Sequence, residues 1–83
     1  MSTMVIKRSV VINGRKTSIS VEDAFYEGLK VAAIMQDKTL GELVGEIARE
    51  AKGYTNLSSA CRLYVLDAEK KRVGMTNGQE ARP

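Results

Sequence analysis

The chain has 83 residues and a net charge of +3, and it contains one cysteine and no histidine. This composition favours a single domain and excludes a histidine-based catalytic triad, a Cys–His dyad and a zinc site of the usual ligands within one chain. No apolar run reaches the ~18 residues that span a membrane, and the lone thiol suits a reducing compartment. We therefore expect a cytoplasmic, non-enzymatic protein that needs no metal ion or cofactor and makes no membrane contact.

Positive charge is concentrated at the start of the chain, where no acidic residue occurs before Glu22. A basic stripe of this kind is the electrostatic footprint of a phosphate-binding surface, although short basic segments also serve solubility alone. On the first interpretation, the candidate phosphate contacts in this stripe are Lys7, Arg8 and Arg15.

Two strands are predicted first. "VIKRSVVI", Val5–Ile12, is rich in β-branched residues, and Asn13-Gly14 after it is the strongest short-range signal for a hairpin. Arg15–Val21 then alternates between apolar and polar residues. The pattern leaves open whether the first strand pairs within its own chain or across a dimer.

The alternation in the second strand assigns its two faces. Ile19 and Val21 point to a core, whereas Lys16, Ser18 and Ser20 point to the opposite side.

A first helix is predicted from about Glu22 to Gln36, with Ser20 as a candidate cap and carboxylates in its first turn. Gly28 within it costs up to ~1 kcal/mol relative to alanine, which indicates either a close approach of another element or simple tolerance. Its apolar face comprises Phe25, Leu29, Ala32 and Ala33.

A second helix follows the break at Asp37–Thr39 and runs to about Lys52. Thr39 and Glu42 have the spacing of a capping box. Its predicted buried face comprises Leu40, Leu43, Val44 and Ile47. The acidic row Glu42, Glu46 and Glu50 is more typical of a solvated helix face than of a metal site.

A third helix is predicted after the break at Lys52–Asn56, capped by Asn56 or Ser58 and ending near Lys71. Cys61 lies on its apolar face, as expected for a small buried hydrophobic residue rather than a redox centre. The predicted organisation is a flexible N-terminus over residues 1–4, one domain over residues 5–71, and a flexible tail over residues 72–83.

The stretch "KTSISVEDAFYEGLKVAAIMQDKTLGELVGEIA", Lys16–Ala48, resembles the ribbon-helix-helix DNA-binding family, the superfamily of the Arc and MetJ repressors. The flanking segments "KRSVVINGRKTSIS" and "NLSSACRLYVL" resemble a subfamily of short bacterial proteins with an additional N-terminal strand and a third helix. The resemblance implies an α+β, mostly α, fold: a β-hairpin or strand pair followed by three helices, in an intertwined homodimer.

The resemblance also implies roles for individual residues. The ribbon enters the major groove of double-stranded DNA, and its outward side chains contact base edges. By position, the base contacts are Lys16, Ser18 and Ser20. The start of the second helix holds a phosphate through its free N–H groups, with a close approach at Gly41. The candidate contacts there are Lys38, Thr39, Leu40 and Gly41. The dimer core implied by position is Ile19, Val21, Phe25, Leu29, Leu43, Val44 and Ile47.

Three functions are compatible with these features. The leading hypothesis is a homodimeric, sequence-specific DNA-binding transcriptional regulator, such as a repressor. The second is an antitoxin-like module whose third helix docks a toxin partner. The third is a dimeric interaction protein that has lost DNA binding.

Overall fold

The computed structural model describes residues 4–52 and 56–81, with residues 73–81 described as helical backbone. Two strands are followed by three helices, in agreement with the predicted α+β, mostly helical, class. The elements are β1 (Val5–Ile12), β2 (Arg15–Glu22), α1 (Asp23–Met35), α2 (Leu40–Glu50) and α3 (Leu57–Ala81). None of the described helices is both long and apolar enough to cross a membrane.

The two strands form an antiparallel hairpin within the one chain, which is one of the two pairings that the sequence left open. The Asn13-Gly14 turn joins them, and both turn residues have positive φ, 52° and 78°. These angles suit the two-residue turn whose twist matches the flanking strands. The turn sets a register in which Ile12 faces Arg15 and Val5 faces Glu22.

The core lies between the inner face of the hairpin and the three helices. It comprises Val10, Ile12, Ile19, Val21, Leu29, Ala33, Leu43, Val44, Ile47, Ala48, Leu57, Cys61 and Val65. The residues expected to form a dimer core are thus buried within one chain, except that Phe25 is only partly buried. These residues are buried without a second chain because β1 and α3 supply much of the surface against which they pack.

The boundaries of α1 differ slightly from the prediction. The helix begins at Asp23, its N-cap is Glu22, and no side chain caps it; Ser20, the expected cap candidate, lies within β2. At the other end, the N–H of Asp37 donates to the carbonyl of Ile34, and the N–H of Lys38 donates to that of Ala33. This pair of bonds is a Schellman ending, which places Asp37 at a positive φ of 59°.

The capping box predicted at the start of α2 is confirmed. The N–H of Glu42 donates to Thr39 Oγ1 over 3.0 Å, and the N–H of Thr39 donates to Glu42 Oε1 over 2.8 Å. The helix ends at Glu50 with Ala51 as its C-cap, slightly before the expected end at Lys52.

The third helix begins at Leu57, as expected, but its end was predicted wrongly. It was expected to stop near Lys71, and it extends to Ala81. Two ion pairs bridge successive turns at the expected boundary: Asp67 pairs with Lys71, and Glu69 pairs with Arg72 just beyond it. Pairs at this spacing stabilise a helix whose surface is exposed to solvent. The predicted tail is thus helical up to Ala81, while residues 82–83, like residues 1–3, lie outside the described residues.

Gly28 marks the contact between α1 and α3. A Cβ built on Gly28 would lie 2.6 Å from Cγ1 of Val65, which is closer than carbon atoms approach without displacement. The close approach, rather than simple tolerance, therefore explains a glycine in the middle of this helix.

Candidate nucleic-acid interface

The solvent side of the hairpin brings together side chains from both strands. Residues that face one another across an antiparallel pair lie on the same side of the sheet, and the register pairs Lys7 with Ser20, Ser9 with Ser18 and Val11 with Lys16. We call this surface the ribbon face, and its members are Lys7, Ser9, Val11, Lys16, Ser18 and Ser20. All of them are exposed except Ser20, which is half-buried.

The ribbon face is positively charged and well supplied with hydrogen-bonding groups. Lys7 and Lys16 are both exposed, and neither takes part in a salt bridge within the described residues. Their ammonium groups and the serine hydroxyls are the group types that donate to base edges and phosphates. The predicted base contacts Lys16, Ser18 and Ser20 thus lie on one accessible surface.

The outer edge of β2 is anchored to α3 at Ser20. Its N–H donates to Ser58 Oγ over 2.8 Å, and its carbonyl accepts from Arg62 Nη2 over 3.0 Å. These bonds occupy backbone groups that an edge strand would otherwise expose. They also fix the position of Ser20 relative to α3.

The one acidic residue on this side of the hairpin is held by a cation. Glu22 ends β2, and Arg62 Nε donates to its Oε1 over 3.0 Å. A hydrogen bond from the Glu22 backbone and the bond from Arg62 hold the pKa of this carboxyl below its usual 4.5. The negative charge of Glu22 is therefore paired with Arg62, at the end of the hairpin opposite the turn.

Arg8, one of the predicted phosphate contacts, points the other way. It shares the inner face of the hairpin with Ile19, forms a salt bridge with Asp23, and donates from Nε to the carbonyl of Val21 over 3.3 Å. Its guanidinium also lies 4.3 Å from the centre of the Tyr26 ring. These contacts join β1 to the start of α1, and they engage Arg8 inside the fold.

A groove separates the turn of the hairpin from the start of α2. It has a volume of about 670 Å³, and Asn13, Lys38, Thr39 and Gly41 are among its lining residues. The predicted phosphate-binding segment therefore lies beside the turn end of the ribbon face. Arg15 is exposed at the same end of the hairpin.

The start of α2 offers fewer free groups than the sequence indicates. Helix geometry leaves the N–H groups of Leu40 and Gly41 without intrahelical acceptors, while the capping box occupies the N–H groups of Thr39 and Glu42. The ammonium of Lys38 lies 2.5 Å from Glu46 Oε1, so this acid already balances its charge.

Gly41 has a role that the sequence did not reveal. A Cβ built on it would lie 1.8 Å from the carbonyl oxygen of Val11. The glycine therefore allows the backbone of α2 to contact the backbone of β1 directly.

Ser9 and Val11 are the members of the ribbon face that sequence reasoning missed. The signal was present, because a two-residue turn at Asn13-Gly14 sets the cross-strand register. That register places Ser9 and Val11 opposite Ser18 and Lys16. The same period of two puts Arg8 on the side of Val10 and Ile12, away from the ribbon face.

A reactive thiol and a metal site, the other chemistry considered from the sequence, are not part of the ribbon face. Cys61 is fully buried, and burial raises the pKa of its thiol to about 11. Within residues 4–52 and 56–81, no three His, Cys, Asp or Glu side chains come together as metal ligands would.

Comparison with known proteins identifies the architecture. A family model described as "Ribbon-helix-helix domain" matches residues 5–68. The match spans both strands, α1, α2 and the first part of α3. No match was found among curated proteins or among solved structures.

Proposed function

The chain belongs to the ribbon-helix-helix domain family, a family of DNA-binding regulators, and we propose that it is a sequence-specific transcriptional regulator that acts as a homodimer. In this proposal, the ribbon face enters the major groove of double-stranded DNA. Lys16, Ser18 and Ser20 contact base edges, and Lys7 on the neighbouring strand contacts a phosphate.

The observation that carries the proposal is the ribbon face itself. Two exposed lysines and three serines share a two-stranded surface, and the acid at its far end is paired with Arg62. A two-stranded ribbon fits the major groove, which is about 12 Å wide. The phosphate contacts proposed to flank it are Arg15 at the turn and Lys38, Thr39, Leu40 and Gly41 at the start of α2. Arg8 is left out of this set because it lies on the inner face of the hairpin, where it is bound to Asp23.

The test is fluorescence anisotropy with labelled duplex DNA over a range of salt concentrations. Phosphate contacts release counterions, so six contacts per dimer lower the affinity about a thousandfold between roughly 50 and 200 mM salt. We expect Lys16→Ala to weaken binding strongly. Lys70→Ala is the matched control, because Lys70 is an exposed lysine on α3, away from the hairpin.

Two results would overturn the proposal. One is the absence of DNA binding at low salt. The other is an equal loss of affinity in Lys16→Ala and Lys70→Ala, which would mean that the protein attracts DNA through its overall charge rather than through the ribbon face.

The homodimer is proposed to form through the outer side of α1. Val31, Ile34 and Met35 lie at helical spacing on this side and are 53%, 76% and 73% exposed. Exposed apolar residues that are contiguous on one surface are characteristic of interaction sites. Two copies of such a stripe, related by a two-fold axis, would cover one another.

Sedimentation equilibrium tests this assembly. Ile34→Glu should convert the dimer to a monomer, because it places a charge in the centre of the buried stripe. Leu63→Glu serves as the control, since Leu63 is similarly exposed but lies on the outer side of α3. A wild-type protein that is monomeric at the concentrations that bind DNA would exclude the homodimer.

The antitoxin-like alternative is favoured by one observation. Leu63 and Leu66 are exposed on the side of α3 that faces away from the core, as expected of a helix that docks a protein partner. Co-purification with the product of a small neighbouring reading frame, lost in Leu63→Glu but not in Ile34→Glu, would support it.

A further inference from the structure

Val11 differs from the other members of the ribbon face because it is apolar. Val11 is 56% exposed, and it faces Lys16 across the hairpin. Single exposed apolar residues are common on proteins, so exposure alone carries no argument. The position of Val11 is informative, because its neighbours on the ribbon face are lysines and serines.

The backbone of Val11 is held firmly in place. Its carbonyl oxygen lies against Gly41 at the start of α2, where no side chain intervenes. Because side chains of a strand stand roughly perpendicular to the sheet, this contact fixes the direction in which the valine projects. The side chain therefore presents its methyl groups to whatever covers the ribbon face.

The chemistry of the major groove provides one apolar partner for such a residue. Thymine alone among the four bases carries a methyl group there, whereas guanine presents the acceptors O6 and N7 that lysine recognises. Residues facing one another across a hairpin have Cβ atoms about 5 Å apart, and successive bases on a strand are about 3.4 Å apart. One such pair of residues thus spans adjacent or nearly adjacent base pairs.

We propose that Val11 contacts the methyl group of a thymine beside the base that Lys16 contacts, so that β1 as well as β2 determines the DNA sequence that is bound. This inference rests on the proposed function. It adds an apolar contact to a face whose serines can donate or accept and so discriminate weakly between bases.

Val5 provides a matched control within the same strand. It lies on the same side of the hairpin and is 52% exposed, close to the value for Val11. It faces Glu22 rather than a lysine, and it lies six residues, about 20 Å along the strand, from Val11 and the proposed phosphate contacts at the turn. Val5 is therefore expected to lie outside the contact surface although its exposure is equivalent.

The experiment compares thymine with deoxyuridine, which lacks only the methyl group. The probe is the duplex that the full chain enriches from a pool of random sequences, together with a copy in which every thymine is replaced by deoxyuridine. The quantity measured is the ratio of the two dissociation constants for the wild type, Val11→Ala and Val5→Ala. Circular dichroism establishes that each variant is folded.

We expect the wild type to bind the deoxyuridine duplex about fourfold more weakly for each methyl group that is buried. Val11→Ala should bind the two duplexes almost equally, whereas Val5→Ala should keep the wild-type ratio. If Val11→Ala does not fold, Val11→Thr keeps the β-branched shape and one methyl group, and its ratio should fall below that of the wild type.

Three outcomes would overturn the inference. A wild-type ratio of one, or an unchanged ratio in the folded Val11 variant, would remove Val11 as the thymine contact while leaving DNA binding intact. Failure of the wild type to enrich or bind any duplex at low salt would overturn the proposed function as well.

Discussion

The contact between Gly41 and Val11 leads to a quantitative prediction for Gly41→Ala. The added Cβ would lie 1.8 Å from the Val11 carbonyl oxygen, whereas real Cβ contacts are essentially never under 3.0 Å. The start of α2 must therefore move away from β1 by about 1.2 Å, the difference between these distances. Because the clash is with backbone, no change of rotamer relieves it.

Forcing extra volume into a packed contact costs about 1–3 kcal/mol and occasionally more. Alanine recovers up to ~1 kcal/mol through its higher helix propensity, but the clash at Gly41 is severe enough to exceed this gain. We expect the free energy of unfolding to fall by about 2 kcal/mol, which lowers the urea midpoint by roughly 1–2 M for a protein of this size.

Gly45→Ala is the matched control in the same helix. Its Cβ would lie 3.1 Å from Cγ2 of Ile12, the end of a side chain that can shift by a few tenths of an ångström. The gain in helix propensity offsets this smaller cost, so the stability of Gly45→Ala should remain within ~1 kcal/mol of the wild type. Urea unfolding of the three proteins, followed by circular dichroism without DNA, provides the comparison.

The result separates two roles for Gly41. If it permits packing against β1, Gly41→Ala loses stability in the absence of DNA. If Gly41→Ala unfolds at or above the wild-type midpoint and loses only DNA affinity, the packing argument is refuted, and the glycine instead serves the close approach of a phosphate.

Three other substitutions or treatments test separate features. Asp37→Gly should raise the melting temperature by about 4–8 °C, because glycine removes ~1 kcal/mol of strain at the positive φ of 59°. A lower melting temperature would contradict the Schellman ending of α1. Cys61, whose thiol pKa is raised to about 11 by burial, should resist alkylation at about pH 8 until the protein is unfolded in urea, and rapid labelling of the native protein would contradict its burial. The pKa of Glu22 is lowered from 4.5 by its hydrogen bonds to its own backbone and to Arg62. The stability that the charged carboxylate contributes is therefore present above pH 4.5 and is lost as the pH falls through the lower, folded-state pKa. The difference in melting temperature between the wild type and Glu22→Gln should shrink at acidic pH, and a constant difference would refute this linkage.

Local signals accounted for most of the elements. The Asn13-Gly14 turn, the alternation in β2 and the capping box of Thr39 and Glu42 each depend on interactions between residues near in sequence. These signals located the hairpin and the start of α2 where the structure has them. The end of α3 was missed because the stretch after Lys71 is rich in glycine and polar residues, a composition typical of a tail, whereas the helix continues to Ala81.

The site was harder to predict because its decisive contacts connect distant residues. Ser20 was read as a helix cap, but its backbone is bound by Ser58 and Arg62, and no local pattern indicates these partners. The packing of Gly41 against Val11 joins residues in different elements. Arg8 is a different case: it was expected to contact a phosphate, although the period of two in its own strand places it on the inner face with Val10 and Ile12.

Together, β1 and α3 determine which surface of the chain remains available for contact with a second copy. Within one chain, Gly41 of α2 covers the edge of β1 at Val11, and α3 binds the edge of β2 at Ser20. A ribbon in which β2 paired with the same strand of another copy would have to displace the bonds that Ser58 and Arg62 make to the backbone of Ser20, and these two side chains would then lose their partners. The inner residues that such a dimer would bury are already covered by β1 and α3. The two most exposed large apolar residues of the described chain, Ile34 and Met35, lie on the outer side of α1, and this is why the proposed dimer joins through helices and leaves each hairpin as a complete reading unit.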